Sequence, residues 1–168
     1  MHPESMDLMK YFIDKYLSET TQLKILDVGS QAVKVQSLSY KNLMRNNWKY
    51  EGLDIEAGMN VDIVVKDPYN WVNIKDETYD IVISGQALEH VKYPWLTMKE
   101  IARVSKKNGL VCIIVPSMGF EHRFPVDCYR YLPDGLRALG EYVNLEVLEC
   151  FRNNYAPWRD CILIGKKK

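Results

Sequence analysis

Polar residues that could take part in chemistry follow each of four apolar segments of the chain. The first segment ends at Asp27 and Gly29, and the next three are also followed by acids, amides or small residues. The complete set is Asp27, Gly29, Ser30 and Gln31, then Asp54 and Ile55, then Asp67 and Pro68, and finally Ser84, Gly85 and Gln86. Parallel strands bring their carboxyl ends to one edge of a sheet, where ligands bind. These residues therefore predict a single binding site.

The spacing of this set indicates which cofactor the site could hold. Asp54 follows Gly29 by 25 positions, near the offset of roughly 20 residues at which a carboxylate reaches the hydroxyls of a ribose. One carboxylate can accept a charge-assisted hydrogen bond from each hydroxyl. Where dinucleotide sites place two further glycines against a pyrophosphate, this loop has Ala32 and Val33. A nucleoside without phosphates, such as S-adenosylmethionine, is therefore favoured over NAD.

The segment 117–135 follows the fifth strand-like segment and is dense in polar and aromatic side chains. It contains His122, Arg123, Asp127 and Arg130, with Phe124, Tyr129 and Tyr131 among them. Such a mixture suits a wall that recognises a polar acceptor. His122 is the first candidate for a general base, because imidazoles exchange protons near neutral pH, and Asp127 is the second. Alternatively, Asp127 and Arg130 only pair with each other and hold the loop.

Other residues receive more ordinary interpretations. Asp27, Asp54 and Asp67 could each be a solvated end of a strand. His90, in Ala-Leu-Glu-His-Val, is interpreted as a local cap or packing residue. The stretch 67–71 resembles the Asp-Pro-Pro-Tyr signature of enzymes that methylate amino groups of nucleic acids, but it follows the third strand and is interpreted as a turn. The spacing of histidines, cysteines and acids predicts no metal site.

The elements that position these residues follow from apolar periodicity and turn signals. Apolar runs closed by glycine, proline or acids predict seven strands, at 23–29, 49–55, 61–67, 79–85, 110–116, 145–151 and 159–166. Apolar residues at three- and four-residue steps predict helices at 6–16, 33–46, 94–109 and 133–143. Five strands alternating with helices require parallel pairing with crossovers, whereas the last two have only a short connection. The predicted fold is an α/β, doubly wound, Rossmann-like seven-stranded sheet, mostly parallel with an antiparallel C-terminal hairpin.

The composition limits the classes of function. The chain has 168 residues, with 22 Lys and Arg balanced by 22 Asp and Glu, so it gives no strong nucleic-acid signal. We expect one domain over 1–168, with an N-terminal helix within 1–20 and a substrate-side loop at 117–135. The four cysteines have no Cys-x-x-Cys spacing, which favours free thiols. Acids within the first twenty residues argue against a signal peptide, and no apolar run predicts a membrane span, so a cytoplasmic location is expected.

The order of these motifs resembles a known family. The motifs are Leu-Lys-Ile-Leu-Asp-Val-Gly-Ser, Tyr-Glu-Gly-Leu-Asp-Ile-Glu, Val-Asp-Ile-Val-Val-Lys-Asp, Tyr-Asp-Ile-Val-Ile-Ser-Gly-Gln-Ala-Leu-Glu-His-Val, Leu-Val-Cys-Ile-Ile-Val-Pro and the closing hairpin. In this order they are similar to the motifs of class I S-adenosylmethionine-dependent methyltransferases of the small UbiE-like, methyltransferase-11 type. The resemblance implies that Gly29 and its neighbours approach the methionine part. It also implies that Asp54 holds the ribose, that Asp67 faces the adenine amino group, and that Ser84 to Gln86 close over the cofactor. The loop departs from the family at Ala32 and Val33, which implies modest affinity.

The expected function is transfer of a methyl group from S-adenosylmethionine to a small polar acceptor, either a small molecule or a sugar, with S-adenosylhomocysteine as product. Two alternatives stay open at this point: an inactive binding module that keeps the fold, and an NAD-binding oxidoreductase. The polar residues after successive strands argue against the first, and the glycine count argues against the second. The sequence does not choose between oxygen, nitrogen, sulfur and carbon acceptors.

Overall fold

A computed structural model describes residues 2–32 and 38–168, and the strands within this part of the chain form one sheet. The strands are β1 (Lys24–Val28), β2 (Lys49–Asp54), β3 (Ile63–Val64), β4 (Tyr79–Gly85), β5 (Ser105–Val115), β6 (Leu145–Arg152) and β7 (Cys161–Lys167). The helices are α1 (Pro3–Tyr16), α2 (Pro94–Val104) and α3 (Pro133–Tyr142). The strand order across the seven-stranded sheet is β3-β2-β1-β4-β5-β7-β6.

The strand pairing confirms the predicted fold class. β1 pairs in parallel with both β2 and β4, and β5 pairs in parallel with β4. β7 runs antiparallel to both β5 and β6, so the last two strands form the expected hairpin. The chain order reverses between β1 and β4, which places the switch point of the sheet at the carboxyl ends of these two strands.

Apolar side chains cover both faces of the sheet, because successive residues of a strand point to opposite sides. On one face, α1 buries Met9, Phe12 and Ile13 against strand residues such as Ile25 and Ile114. On the other face, the buried residues of α2 and α3 pack with those of the same strands. The sheet therefore forms a rigid centre that holds the loops at its carboxyl edge in position.

Two predicted helices differ from the structure. The helix predicted at 94–109 ends at Val104, and β5 begins at the next residue. Its last carbonyls are used by the segment before β4, since the amides of Glu77 and Thr78 donate to Arg103 and Val104. Lys106, Lys107 and Gly109, expected to end the helix, lie in β5.

The helix predicted at 33–46 is wrong for the part that the structure describes. Residues 33–37 lie outside the described residues, and Tyr40–Leu43 form a short 3-10 turn. Ser39 and Asn42 cap this turn reciprocally, and Met44 is already extended. The predicted third strand is also shorter, with only Ile63–Val64 paired to β2.

The four cysteines are free thiols, as expected. Cys112 and Cys161 are buried in β5 and β7, Cys150 is half-buried in β6, and Cys128 is exposed. Among the described residues, no helix combines the length and the apolar character that crossing a membrane requires.

Two acidic side chains are buried near the ends of strands. Asp27 in β1 is 4% exposed and accepts a hydrogen bond of 2.7 Å from the hydroxyl of Tyr50. Burial raises the pKa of Asp27 to about 7; the hydrogen bond from Tyr50 opposes this rise, and the nearby Asp54 carboxylate adds to it. Burial also raises the pKa of Asp160, just before β7, to about 6. Both carboxyls therefore hold a proton more tightly in the folded chain than in the unfolded one.

We expect the thermal midpoint to rise as the pH falls from about 8 to about 5. A carboxyl whose pKa is raised by folding gains protons first in the folded state, so stability is lost as the pH rises from about 4 towards about 7. Asp27→Asn keeps an acceptor for Tyr50 but cannot ionise, so it should reduce this dependence by the share of Asp27 and leave the shares of the other buried carboxyls, Asp160 and Glu89. One pKa unit is worth about 1.4 kcal/mol, which corresponds to about 3–6 °C in the thermal midpoint of a chain of this size. Melting curves at the two pH values measure the effect.

The exposed Asp7 provides a matched control, because Asp7→Asn removes a carboxyl that lies at the surface. The thermal midpoint of Asp7→Asn should depend on pH as that of the wild type does. If the thermal midpoint of Asp27→Asn changes with pH as much as that of the wild type, the Asp27 carboxyl does not bind its proton near neutral pH.

The turn that ends β1 depends on a close approach between two loops. Gly29 has a φ of 79°, in the left-handed region. A Cβ at this position would lie 2.4 Å from the Cβ of Ala87, which follows β4. Gly29 therefore meets two separate requirements, one in the backbone and one in packing.

Gly29→Ala should lower the free energy of unfolding by about 2 kcal/mol or more, because about 1–2 kcal/mol of backbone strain adds to the clash with Ala87. Adding Ala87→Gly should recover the part of the lost free energy of unfolding that comes from the clash. The part that comes from backbone strain at position 29 should remain. Urea unfolding of the two single variants and the double variant separates these costs.

Gly135→Ala is the control, since a Cβ there meets nothing within 4 Å. It lies in α3, where alanine is favoured over glycine, so its stability should be unchanged or slightly higher. A Gly29→Ala protein as stable as Gly135→Ala would contradict the tight crossing of the loops.

Candidate functional site

The loop after β1 is held to the end of β2 by its backbone. The amides of Gly29 and Ser30 both donate to the carbonyl oxygen of Leu53, at 2.8 and 3.1 Å. The hydroxyl of Ser30 donates to the carbonyl of Asn60 at 2.9 Å, and the amide of Ala32 donates to Met59 at 3.1 Å. Val33, the other non-glycine position of the loop, lies outside the described residues. The loop is thus anchored without the glycines of a dinucleotide site.

Asp54 lies at the carboxyl end of β2, directly across from this loop. Its Oδ2 accepts from the backbone amide of Gln31 at 3.0 Å, and its Oδ1 accepts from the amide of Ile55 at 2.7 Å. Each carboxylate oxygen has two acceptor positions. Among the described residues, one position on each oxygen of the half-buried Asp54 therefore stays without a partner.

The other predicted residues near Asp54 define the surroundings of that acid. Gln31 donates through Nε2 to the carbonyl of Ala57 at 3.3 Å, so its side chain is turned onto the loop after β2. Ile55 is 43% exposed, an unusual state for a large apolar side chain beside a polar site. It offers an apolar surface against which a flat ring could pack.

The segment that follows β3 is a turn, as interpreted from the sequence. Asp67 is exposed, and its Oδ1 accepts from the amide of Tyr69 at 2.8 Å. The carbonyl of Pro68 accepts from the indole of Trp71 at 3.2 Å and from the hydroxyl of Thr97 at 3.1 Å. Pro68 thus fixes the turn onto α2, and Asp67 is left at the surface with one oxygen unused by the turn.

Ser84, Gly85 and Gln86 end β4 beside the loop of β1. The hydroxyl of Ser84 is buried and donates to the carbonyl of Val28 at 2.8 Å, which ties the two central strands together. Gly85 packs against Tyr40, whose hydroxyl oxygen would lie 1.9 Å from a Cβ at that position. Gln86 has a φ of 56° and donates through Nε2 to Asp160 at 3.2 Å.

The N-terminal residues join this edge of the sheet, which the sequence did not indicate. The ring of His2 stacks on Trp158 with ring centres 5.7 Å apart. Its Nε2 lies 3.5 Å from the buried Oδ2 of Asp160, and Ser5 on α1 shares a 2.6 Å hydrogen bond with Tyr40. The only signal for this cluster was one acid, Asp160, directly before an apolar strand.

Asp127 organises the segment 117–135. Its two oxygens lie 2.6 and 2.8 Å from the guanidinium of Arg130, and its Oδ2 also accepts from the backbone amide of His122 at 2.7 Å. The hydrogen bonds from Arg130 hold the pKa of the Asp127 carboxyl far below its usual range. This is the loop-holding pair weighed from the sequence, and it leaves His122 as the better of the two candidate bases.

His122 lies within a group of aromatic rings. Its ring centre is 4.9 Å from that of His90 and 5.0 Å from that of Trp158, with Phe124 at 6.3 Å. Phe124 and Phe120 are 55% and 68% exposed, which leaves a large apolar surface open beside the imidazoles. The arrangement places aromatic walls around one or two polar groups.

Glu89 lies beneath these rings and was not identified from the sequence. It is fully buried, and neither of its side-chain oxygens has a hydrogen-bond partner among the described residues. Burial raises the pKa of the Glu89 carboxyl to about 8. The neighbouring His90 bonds through Nδ1 to the carbonyl of Val126 at 2.7 Å, and burial lowers the pKa of its imidazole. His90 therefore has a polar anchor of its own in addition to its packing.

Two surface depressions lie at the opposite edge of the sheet. One is lined by residues such as Glu77, Arg103 and Lys167, and the other by residues such as Asp80 and Lys106. Both are at the amino ends of the parallel strands, where ligands of doubly wound sheets do not bind. The chemistry is assigned to the carboxyl edge, where the groups described above converge.

Comparisons with known proteins agree with this geometry. The Burkholderia thailandensis 1,6-didemethyltoxoflavin-N1-methyltransferase, solved with 1,6-didemethyltoxoflavin and S-adenosylhomocysteine bound, is 12% identical with a TM-score of 0.73, over 98% of this chain and 78% of that one. An S-adenosylmethionine-dependent methyltransferase from Aquifex aeolicus is 14% identical with a TM-score of 0.65, over 87% and 82%. One from Methanosarcina mazei is 14% identical with a TM-score of 0.68, over 93% and 96%. These likenesses show a shared fold.

Sequence comparison identifies the family directly. No curated protein matches the chain, but the sequence model of the methyltransferase domain matches residues 22–113, more than half of its length. The matched region runs from the start of β1 into β5 and includes Asp54 and the loop after β4. The chain therefore belongs to the methyltransferase domain family, as an enzyme with S-adenosylmethionine as its cofactor.

Proposed function

We propose that the enzyme methylates a small polar acceptor, either a small molecule or a sugar. The observation that carries this proposal is the position of the segment 117–135 over the end of β4. The amide of Cys128 donates to the carbonyl of Glu89 at 2.7 Å, and the hydroxyl of Tyr131 donates to the carbonyl of Leu88 at 2.9 Å. The aromatic and polar side chains of this segment therefore face the edge that carries the cofactor residues.

On the cofactor side, the proposal gives each predicted residue a task. Asp54 accepts from the ribose hydroxyls, and the exposed Ile55 packs against the adenine. Asp67 faces the adenine amino group. The remaining members of the set shape the pocket through their backbones: Asp27, Gly29, Ser30, Gln31, Pro68, Ser84, Gly85 and Gln86. Where bound, S-adenosylmethionine supplies a methyl group on a positively charged sulfur, so the protein has mainly to align the acceptor and exclude water.

On the acceptor side, His122 is proposed as the general base. Its ring lies among aromatic side chains, and Asp127 fixes its backbone amide while pairing with Arg130. Asp127 is thus proposed as a positioning residue. Arg123 is exposed and forms a surface ion pair with Glu121, which an anionic acceptor would have to replace in order to bind there. The balanced net charge of the chain supports a small acceptor over a nucleic acid. A cytoplasmic location stays a prediction.

We expect Asp54→Ala to weaken binding of S-adenosylhomocysteine by about 10- to 150-fold, because hydrogen bonds to a charged partner contribute about 1.5–3 kcal/mol. Calorimetric titration of the folded variant measures the loss. Asp54→Asn, which keeps the shape of the side chain and one acceptor oxygen, should lie between this variant and the wild type.

Glu56→Ala removes an exposed acid two positions away and should bind like the wild type. Unchanged affinity in a folded Asp54→Ala protein would overturn the ribose assignment. Titration with NAD should give no binding, and tight binding of NAD would favour an oxidoreductase.

His122→Ala should lower turnover by about 10²- to 10⁴-fold and leave binding of S-adenosylhomocysteine unchanged, because proton transfer contributes about that much to a rate. The acceptor is first identified by following S-adenosylhomocysteine release over a panel of small hydroxylated and amino compounds. The kcat and KM of the variant are then measured with that acceptor.

Glu121→Gln is the matched control, since Glu121 is exposed on the same loop and its one ion pair within the described part of the chain is with Arg123. It should retain wild-type turnover. A fall of less than about tenfold in His122→Ala would reduce His122 to a structural role. A loss of cofactor binding in this variant would instead mean that the loop lies on the cofactor side of the pocket.

A further inference from the structure

Three potential metal ligands converge at the acceptor side of the site. Glu89, His90 and His122 each offer one ligand atom, and these atoms all lie within 4.8 Å of one another. Glu89 Oε1 is 3.7 Å from His90 Nε2. Glu89 and His90 come from the short turn after β4, and His122 comes from the segment after β5. The ligands are thus held by two different elements that meet at the carboxyl edge of the sheet.

The state of Glu89 points to a missing partner. Its side chain is 0% exposed, and neither oxygen has a hydrogen-bond partner in the part of the chain that the structure describes. Burying a polar group without a partner costs about 1–3 kcal/mol or more, and most buried polar side chains in proteins are hydrogen-bonded. Even a protonated carboxyl would still need an acceptor for its hydrogen. A cation coordinated by Glu89 would remove this cost.

His90 is oriented in the way that a metal-binding histidine requires. Its Nδ1 lies 2.7 Å from the carbonyl oxygen of Val126, and in the tautomer that donates from Nδ1 to this acceptor the lone pair is on Nε2. Nδ1 of His122 lies 3.3 Å from the carbonyl oxygen of Phe120 and 3.6 Å from Asp127, and it also lies 3.4 Å from Nη2 of Arg130, which can only donate. Binding of an ion through Nε2 of His122 therefore requires the tautomer that donates from Nδ1 to Phe120 or Asp127. Ligating histidines usually donate their other ring nitrogen to a carbonyl or carboxylate in this manner.

We propose that Glu89, His90 and His122 bind a divalent first-row transition-metal ion. Two imidazole nitrogens and one carboxylate favour zinc, iron or cobalt, whereas magnesium and calcium prefer sets made only of oxygen. Three protein ligands leave at least one coordination position open, as in catalytic zinc sites. The open position would take an oxygen of the acceptor.

The geometry needs only a small adjustment to close around an ion. Ligand atoms about 2.0–2.1 Å from a tetrahedral zinc lie about 3.4 Å from one another. The ligand atoms, which lie within 4.8 Å of one another, must therefore come closer. The side chain of His122 is 26% exposed on a surface loop, so its ring can move inward to close this gap. Arg130 lies close to the cluster, with its Nη2 3.4 Å from Nδ1 of His122, but it is paired with both oxygens of Asp127, which reduces its repulsion of an ion.

The catalytic role of the ion rests on the proposed function, whereas the binding of the ion can be tested independently of it. A hydroxyl of the acceptor bound at the open position would be acidified by the ion and would release its proton to solvent water. The ion would then do what the proposed function assigns to a free His122 imidazole. The acceptor class would narrow to compounds with a hydroxyl that can coordinate a metal.

The test is titration of the metal-free, tag-free protein with Co²⁺, followed by visible absorption. We expect binding of one ion with bands typical of nitrogen and oxygen ligands and no thiolate charge-transfer band. Glu89→Gln and His122→Asn should each weaken binding by at least about tenfold, since even outer-shell changes cost that much in metal sites. His122→Asn lies on an exposed loop and keeps the test decisive if Glu89→Gln does not fold.

His2→Gln and Cys128→Ser are matched controls, because they remove the only other histidine and the exposed thiol. Both should bind Co²⁺ like the wild type, and excess Mg²⁺ should not compete. Three results would each overturn the site. They are no binding at millimolar Co²⁺, binding that is unchanged in both Glu89→Gln and His122→Asn, and binding that is lost in Cys128→Ser. If Co²⁺ does not bind while S-adenosylhomocysteine does, the proposed function stands with His122 as a free base. If neither binds, the proposed function fails as well.

Discussion

Two backbone amides share one carbonyl oxygen at the centre of the site, and the positions of the other groups depend on this pairing. Gly29 and Ser30 both donate to Leu53, the residue directly before Asp54. The pairing fixes the distance between the loop of β1 and the acid of β2, and the amide of Gln31 then reaches Asp54. After Gly29, the shape of the loop is therefore set by hydrogen bonds of the main chain, which Ser30, Gln31 and Ala32 make as well as glycine would.

Much of the fold could be predicted from the sequence, because buried parallel strands are continuous apolar runs and the final hairpin has no room for a crossover helix. The errors occurred where periodicity competed with local bonding. The helix expected at 33–46 gave way, in its described part, to a turn capped by Ser39 and Asn42. The helix 94–109 ended early because the chain before β4 takes up its last carbonyls.

The site was predictable only where residues follow a strand directly. Asp54 and the loop of Gly29 lie at strand ends, so the sheet alone places them at one edge. Glu89, His2 and Asp160 are brought there by a short turn, a helix and a late strand, and no spacing in the sequence relates them. The burial of these side chains could not be predicted either. In Leu-Glu-His, for example, nothing in the sequence pattern distinguishes a buried acid from a solvated one.

The position of β7 has a consequence for how the protein reaches its native state. This strand is last along the chain but lies between β5 and β6, and it supplies the whole pairing of β6 and one edge of β5. Until Cys161–Lys167 is in place, β6 has no partner and the apolar face of β5 ends in an open row of amides and carbonyls. Folding must therefore wait for contacts between distant parts of the chain, which slows it relative to local pairing. During synthesis on the ribosome, this edge of β5 stays unpaired until β7 has emerged, and an unpaired strand edge is prone to aggregation.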